Sequence, residues 1–467
     1  MADPTRPDAT SQFRALFRAL VLDPALLLDR VLTAEALAAA VAREVGRTSE
    51  RVFTPLVTLS VFLSQVLAED HSCRAAVARL LAWRAGRGLR PCSPDTGAYC
   101  KARGRLPEPL LPRLVREAGD RLQEHAPDPW LVRGRRVVLV DGTTVSMPDT
   151  PENQAAYPQH VRQKPGCGFP IVRVVVLLSL ATGAALDAAM APWAGKLTGE
   201  DALLRSLRRR LRRGDILLAD GYYCSYQEVA ALLAEGVDVV MRQHGGRKTD
   251  FRRGWRLGRE DHVVRRERGR VRRPWMGLEG FHALPRTLWL REAQVRVDKP
   301  GFRTKVFVVV TSLTDAAAYP PGELAALYRR RWHAELGIRS IKSVMGMDVL
   351  RCKTPALVRE EIYGHLLAYN LIRGVMAEAA RRHGVSPREL SFQGARQTIE
   401  AFRGEPGGAT GDRGERLIEA ALRAIAYHRV GDRPDRVEPR VVKRRPKAYP
   451  RMQVPRALAR KRLMRAG

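Results

Sequence analysis

The sequence contains little cysteine, and no two cysteines form a C-x2-C pair. Six cysteines occur in 467 residues, which disfavours a zinc ribbon or a disulfide scaffold and predicts isolated reduced thiols. The ten histidines show no H-E-x-x-H pattern. No G-x4-G-K-[ST] motif is present, so an NTP-driven machine is also disfavoured.

Long hydrophobic runs are missing as well. The two longest uncharged apolar runs are Val52–Ala68 and Val174–Leu186. Pro55 and several polar residues interrupt the first run, and the second is too short to cross a bilayer of about 30 Å. The first ten residues lack the apolar segment of a secretory signal. The sequence therefore predicts a protein without a membrane span.

Acidic residues are scarce relative to basic ones. The chain has 81 Lys and Arg against 49 Asp and Glu, a net charge of +32. This excess indicates a polyanionic partner, with nucleic acid as the first candidate. Residues 440–467 carry eleven basic residues and no acid, which predicts a disordered arm suited to phosphate contact.

The hydrophobic period changes near residue 133. Residues 11 to about 125 show the spacing of helices, whereas β-branched runs follow. Three strands and then alternating helices and strands are typical of a mixed sheet covered by helices. The predicted elements are strands at 136–141, 171–180, 184–190, 215–220, 237–241, 288–297 and 305–311, and helices at 200–213, 226–233, 321–345, 360–382 and 415–428.

Two of the predicted strands end in an aspartate followed by glycine. These are Asp141-Gly142 and Asp220-Gly221. The carboxyl end of a strand is where such sheets place ligands, and glycine allows a sharp turn and a close approach. Either dipeptide alone is typical of an ordinary turn. The pair within one sheet is more informative.

The helix predicted from Pro321 carries one acid among basic and phenolic groups. At helical spacing a single stripe holds Tyr328, Arg331, Glu335, Arg339 and Lys342, and a second, apolar stripe holds Leu327, Ala334, Ile338, Ile341 and Met345. The first stripe is typical of a metal ligand beside a phosphate clamp. A ladder of surface ion pairs explains the charges equally well, although not Tyr328 and Lys342. From the helix alone, both interpretations stay open.

Three carboxylates from two strands and one helix suit a two-metal centre. Two Mg2+ ions held by Asp141, Asp220 and Glu335 could activate a nucleophile and stabilise the leaving oxygen at phosphorus. Five other acids are interpreted as structural, and the two that begin a predicted helix are interpreted as caps. The five are Asp149, Asp187, Glu200, Asp201 and Asp215.

These residues resemble the motifs of a known family. The spacing Tyr328-x2-Arg331-x3-Glu335-x6-Lys342 is similar to the Y-x2-R-x3-E-x6-K motif of the insertion-sequence-four family of bacterial DDE transposases. Asp141-Gly142-Thr143 and Asp220-Gly221-Tyr222-Tyr223 resemble its two aspartate blocks. The resemblance covers roughly residues 130 to 375.

The resemblance implies an α/β fold. A ribonuclease-H-like mixed-sheet core would carry a β-rich insertion and be flanked by helical N- and C-terminal regions. The implied boundaries are a helical DNA-binding region at 1–130, the first part of the core at 131–242, a basic insertion at 243–320, the catalytic helix and end of the core at 321–382, a helical region at 383–439 and a basic tail at 440–467.

The resemblance also implies cut-and-paste transposition. Asp141, Asp220 and Glu335 would be the catalytic ligands of two divalent cations, Mg2+ or Mn2+. Tyr328, Arg331 and Lys342 would contact DNA phosphates, and Arg339 shares their stripe. The implied partners are the terminal inverted repeats and target DNA, bound by a homodimer in the bacterial cytoplasm at the nucleoid.

Two alternatives remain at this stage. One is a ribonuclease-H-like nuclease without strand transfer, and the other is an inactive DNA-binding relative. In some members of the family an aromatic side chain stacks on a flipped base, and the candidates here are Trp275, Trp289 and Trp332. For Trp275 and Trp289 the sequence favours packing in the core of the insertion.

Overall fold

The computed structural model describes residues 16, 31–45, 52–296, 306–403, 412–430 and 452–466. Most of the predicted helical residues 11–30, and residues 440–451 of the basic tail, lie outside this part of the chain. The described α-helices are α1 Ala34–Glu44, α2 Pro55–Leu67, α3 Cys73–Ala85, α4 Gly97–Arg103, α5 Leu110–Glu124, α6 Pro151–Ala156, α7 Glu200–Leu207, α8 Tyr226–Ala234, α9 Leu278–Ala283, α10 Pro321–Arg329, α11 Trp332–Arg339, α12 Pro355–Arg382, α13 Phe392–Arg403, α14 Asp412–Tyr427 and α15 Arg456–Ala466.

The strands of the described residues form one nine-stranded sheet in the order β3-β2-β1-β4-β5-β9-β8-β7-β6. Strands β1, β4 and β5 are parallel, whereas β5, β9, β8, β7 and β6 pair antiparallel in turn. The mixed sheet with its helices confirms the predicted α/β, ribonuclease-H-like fold class. The strands are β1 Val137–Ser146, β2 Ile171–Ser179, β3 Ala185–Pro192, β4 Ile216–Ala219, β5 Asp238–Arg242, β6 Trp255–Gly258, β7 Asp261–Glu267, β8 Thr287–Arg296 and β9 Val306–Thr311.

The chain divides into two compact units. The first contains residues 1–131, 178–188 and 336–430, and the second contains residues 132–177, 189–335 and 431–467. The first unit is mainly helical and the second holds most of the sheet. None of the described helices is long and apolar enough to cross a membrane.

Helix α12 is the centre of the helical unit. It has 28 residues, of which 21 are buried, six of them polar or charged. Its buried Asn370 binds the Ala185 N–H at 2.7 Å and donates to the Ala185 carbonyl at 2.8 Å. Asn370 therefore satisfies backbone groups of strand β3 that would otherwise be buried without partners.

Buried ion pairs hold the strands of the insertion together. Arg291 on β8 is 0% exposed and donates to both carboxylate oxygens of Asp261 on β7, at 2.8 and 2.5 Å. Arg266 on β7 donates to Glu292 on β8 at 2.7 Å. Strands β8 and β9 agree with the sequence prediction, whereas β6 and β7, in the basic insertion 243–320, were not among the predicted strands.

The predicted single helix from Pro321 to Met345 is wrong. Helix α10 ends at Arg329, α11 begins at Trp332, and a π-helix covers Ser340–Val344. Between α10 and α11 the backbone bonds to the third preceding residue, as in the contact from the Arg331 N–H to the Tyr328 carbonyl at 3.0 Å. No glycine or proline marks this break. Instead, Tyr328 is buried against Phe307, with 5.1 Å between ring centroids.

Candidate active site

Parallel pairing brings Asp141 and Asp220 to the same edge of the sheet. Val137 to Leu139 of β1 pair with Ile216 to Leu218 of β4. Extending this register by two residues along both strands places Asp141 opposite Asp220. Adjacent strands lie about 4.8 Å apart, so the two side chains leave the sheet close together. Asp220 follows the end of β4 as predicted, but the prediction that β1 ends at Asp141 is wrong because β1 continues to Ser146.

Both glycines after these aspartates are explained by close packing. Neither Gly142 nor Gly221 has a positive φ, so neither is needed for a left-handed turn. A Cβ on Gly221 would lie 3.1 Å from the Gln243 carbonyl oxygen. A Cβ on Gly142 would lie 2.4 Å from the carboxyl carbon of Glu200. The missing side chain therefore allows Glu200 to approach the backbone beside Asp141.

Helix α11 brings the third predicted acid to the two aspartates. The pKa of Asp141 is raised to about 6: burial is the main cause, the Gly142 N–H and Arg331 oppose the rise, and the negative charges of Glu335 and Asp220 contribute to it. Asp141 accepts the Gly142 N–H at 2.9 Å. Glu335 and Asp220 are thus each near enough to Asp141 to act on its charge, because charge coupling falls steeply with distance in a protein.

Arg331 lies among these acids. Its guanidinium donates to Glu335 at 2.6 Å, and its charge also lowers the pKa of Asp141. Tyr328 is 7% exposed; burial raises its pKa to about 12, Arg331 opposes that rise and Asp220 adds to it. The structure therefore brings together Asp141, Asp220, Tyr328, Arg331 and Glu335 within the unit that holds most of the sheet.

The other two residues of the predicted stripe lie further along the chain. Arg339 is the exposed last residue of α11, and the half-buried Lys342 lies in the π-helix Ser340–Val344. Both belong to residues 336–430 of the helical unit. The apolar stripe is confirmed, since Leu327, Ala334, Ile338, Ile341 and Met345 are each less than 10% exposed.

Glu200 and Tyr223 also belong to this group, and sequence reasoning missed them. Glu200 begins α7, but the residue that caps this helix is Gly199, which has no side chain to do so. The Tyr223 hydroxyl donates to Glu200 at 3.2 Å. Tyr223 lies in the second aspartate block, so the motif already contained one of the two. The interpretation of Glu200 as a cap leaves its position beside Gly142 unexplained.

The acidic side chains at the site are of the chemical type that binds a divalent cation. Carboxylate oxygens are the hard ligands that Mg2+ prefers, and the glycine at position 142 leaves space for a carboxyl group beside Asp141. As the side chains stand, no three His, Cys, Asp or Glu in the described residues are close enough to hold one ion together. The ion pair with Arg331 turns Glu335 to the guanidinium.

The tryptophans of the insertion are not all in its core. Trp289 on β8 is 59% exposed, which makes the prediction of core packing wrong for this residue. It shares a face of the sheet with Arg265, its direct partner on β7. Trp332 is 56% exposed. Trp275 packs under the guanidinium of Arg205, 4.0 Å from its ring centroid.

Comparisons with known proteins identify the family. The model of the transposase DDE domain matches residues 132–371, the part of the chain that contains all the acids discussed above. The chain belongs to the insertion-sequence-four family of DDE transposases. As a member of it, the transposase is an enzyme that cleaves and transfers DNA strands with divalent metal ions.

Individual relatives cover different shares of the transposase. The transposase InsG for insertion sequence element IS4 of Escherichia coli strain K12 is 30% identical over 361 residues, 76% of this chain and 77% of the relative. The transposase for insertion sequence element IS421 of Escherichia coli is 36% identical over 69 residues, 15% of this chain and 18% of the relative. The structure of the piggyBac transposase synaptic complex with hairpin DNA covers 87% of this chain and 86% of its own, with 10% identity and a TM-score of 0.42.

Proposed function

We propose that this transposase moves an insertion sequence by a cut-and-paste reaction, with Asp141, Asp220 and Glu335 as its catalytic, metal-binding residues. The observation that carries the proposal is the parallel pairing of β1 with β4, which places Asp141 opposite Asp220 at one edge of the sheet. The charges of Asp220 and of Glu335 on α11 both act on Asp141, which supports the assignment. Structural acids are normally paired with cations. Within the described part of the chain, Arg331 pairs with Glu335 and with neither aspartate.

Two Mg2+ ions are the cofactors that we propose, with Mn2+ as a substitute. Such ions, when bound, supply an activated nucleophile and charge stabilisation at phosphorus. Asp141 and Asp220 would hold them from the edge of the sheet and Glu335 from α11. Arg331 would keep Glu335 oriented and offer a planar donor to a phosphate oxygen as DNA enters.

DNA is the proposed partner, in the form of terminal inverted repeats and a target duplex. We assign phosphate contacts to Arg331, Arg339 and Lys342 from the sequence motif, and to Tyr328 through its hydroxyl. Paired ends require two active sites, so we propose a homodimer in the synaptic complex. The reaction would take place at the nucleoid in the bacterial cytoplasm.

A plasmid excision assay tests the proposal. A supercoiled plasmid carrying the DNA that flanks this gene is incubated with the protein and Mg2+. We expect excision and a rejoined product from the wild type. Asp220→Ala should abolish cleavage and leave DNA binding within about twofold, because the metal ligands contribute to chemistry rather than to phosphate contact.

The matched control is Asp149→Asn, which neutralises an exposed acid outside the site that is bonded to Gln154 at 2.7 Å. It should excise like the wild type. Cleavage by Asp220→Ala at the wild-type rate would refute the site assignment. Metal-dependent nicking without a joined product would favour a nuclease, and DNA binding without cleavage by any form would favour an inactive relative.

A further inference from the structure

Glu200 lies against the backbone that carries Asp141. The position of a Cβ on Gly142 would be 2.6 and 2.8 Å from the two carboxylate oxygens of Glu200. No side chain larger than hydrogen fits there without moving the glutamate. The glycine in the first aspartate block, Asp141-Gly142-Thr143, therefore leaves space for the carboxyl group of Glu200, which lies in the first turn of α7.

The second aspartate block, Asp220-Gly221-Tyr222-Tyr223, also contacts the Glu200 carboxyl group. Tyr223 is 1% exposed, and its hydroxyl donates to Glu200 at 3.2 Å. Its neighbour Tyr222 is within 3.5 Å of Asp201 through its hydroxyl. Both tyrosines after Asp220 thus contact the start of α7. A buried hydroxyl that serves one carboxylate indicates that the orientation of this carboxylate matters.

Negative charge accumulates around this position. Burial raises the pKa of Glu200, Tyr223 and Arg173 oppose the rise, and the charges of Asp220 and Asp201 add to it. Arg173 donates to the Thr198 carbonyl at 2.6 Å and lies over the Trp193 ring at 4.5 Å.

Asp141, Asp220 and Glu335 come from the other elements that pack here. Among these acids in the described residues, Glu335 pairs with Arg331 and Asp201 with Arg205. Asp141, Glu200 and Asp220 form no ion pair with any residue that the structure describes. Half-buried carboxylates that form no ion pair within the protein favour the binding of a cation from solution.

We propose that Glu200 is a fourth acidic residue of the metal site, and that its carboxylate helps to bind the divalent cation beside Asp141 and Asp220. The proposal rests on the function proposed above, since it assumes a metal site at these aspartates. Glu200 would act either as a direct ligand or through a bound water that its carboxylate holds. Tyr223 would be a positioning residue that fixes the carboxylate.

Binding of Mn2+ to the full-length protein tests this proposal without reference to catalysis. Titration calorimetry measures the affinity for Mn2+ of the wild type and of Glu200→Gln, which keeps the size of the side chain and removes its charge. We expect a loss of affinity of about tenfold or more, the range found when groups around a metal are removed. The matched control Asp201→Asn, one residue further on, should stay within about twofold of the wild type.

A second variant keeps the test decisive if Glu200→Gln fails to fold. Tyr223→Phe removes only the hydroxyl that orients Glu200, and it should weaken Mn2+ binding by a smaller factor than Glu200→Gln does, because the carboxylate itself remains. Wild-type affinity in Glu200→Gln would overturn the proposal. Wild-type affinity in Asp220→Ala as well would show that the ion binds elsewhere, which is the failure of the proposed function rather than of the role of Glu200.

Discussion

Glu228 is a buried acid outside the candidate active site. It is 1% exposed at the third position of α8, and its carboxylate faces Arg205 at 3.7 Å and Arg208 at 3.8 Å. Burial raises its pKa to about 7, although both arginines oppose the rise. Ser225 caps α8 by accepting the Glu228 N–H at 3.3 Å, whereas the Glu228 carboxylate itself makes no hydrogen bond within the described residues.

The pKa of Glu228 predicts a pH dependence of stability. The folded state keeps a proton that the unfolded state releases above a pH of about 4.5, so the free energy of unfolding is highest below that pH and falls until about pH 7. One pKa unit corresponds to about 1.4 kcal/mol, so the loss is on the order of 3 kcal/mol. Urea denaturation from pH 4.5 to 8 should show this loss in the wild type relative to Glu228→Gln.

Glu235→Gln is the control for removing one negative charge. Glu235 is an exposed acid that pairs with the same Arg208 at 3.0 Å. If wild type and Glu228→Gln have parallel stability profiles, the carboxylate is charged throughout and the two arginines neutralise it fully.

The sequence predicted some residues of the candidate active site and missed others. Asp141, Asp220 and Glu335 were predicted because each belongs to a motif or ends a predicted strand. Glu200 was not, because an acid in the first turn of a helix is common for reasons of the helix dipole alone. Its proximity to Gly142 depends on how α7 packs, which no local pattern records.

At the scale of elements, the strands of the insertion show that buried charged residues can obscure the sequence pattern of a strand. Strand β7 reads Asp-His-Val-Val-Arg-Arg-Glu, and β8 contains Arg291 and Glu292. Alternation of apolar and polar residues, the usual signal of a strand, is lost because some of the charged side chains are buried and paired across the strands. The buried pairs are Arg291 with Asp261 and Arg266 with Glu292. Strand β9 has no such residues in Val306–Thr311 and was predicted correctly.

The pair of Arg291 and Asp261 should be essential for this part of the sheet. Replacing Asp261 by alanine leaves a fully buried guanidinium without its carboxylate, which costs about 3–5 kcal/mol. The adjacent Glu260 pairs with Arg296 at 2.6 Å in an exposed position, and Glu260→Gln should cost less than about 1 kcal/mol. Urea denaturation of both variants measures the difference.

The double variant Asp261→Leu with Arg291→Met separates charge from packing. It removes both partners and should recover most of the stability lost in Asp261→Ala, because no buried charge remains unpaired. A double variant as unstable as the single one would mean that the strands need the ion pair itself for their register.

The helix predicted from Pro321 is a second case at this scale. The prediction of its apolar stripe was correct, because the residues of that stripe are buried in both α10 and α11. The polar stripe was not straight, since the turn at Arg331 and the π-helix at Ser340–Val344 change the rotation per residue. Tertiary contacts such as that of Tyr328 with Phe307 decide such breaks, and a 3.6-residue period cannot show them.

For the whole molecule, the net charge of +32 is the property most relevant to DNA. Eleven of the 81 basic residues lie in residues 440–467, which were predicted to be a disordered arm. Within the described residues this prediction is wrong, because Arg456–Ala466 form helix α15. Arg456 lies 5.6 Å from the ring centroid of Phe169, and Arg460, Lys461 and Arg465 are exposed.

These three exposed cations should contribute to DNA affinity mainly through counterion release. Each phosphate contact adds about 0.9 to the slope of log affinity against log salt. Replacing all three by glutamine should therefore reduce the slope by about 2 to 3 if each contacts the duplex. Fluorescence anisotropy on a duplex of unrelated sequence, between about 50 and 200 mM salt, measures it.

Three exposed arginines on α14 provide a control of equal charge. Replacing Arg413, Arg416 and Arg423 by glutamine changes the net charge by the same amount. If both triple variants reduce the slope equally, the overall field of the protein attracts DNA and α15 has no particular role. If only the α15 variant does so, the C-terminal helix follows the phosphate backbone. Its effect should then be the same for all sequences, because phosphate contacts carry no direct sequence information.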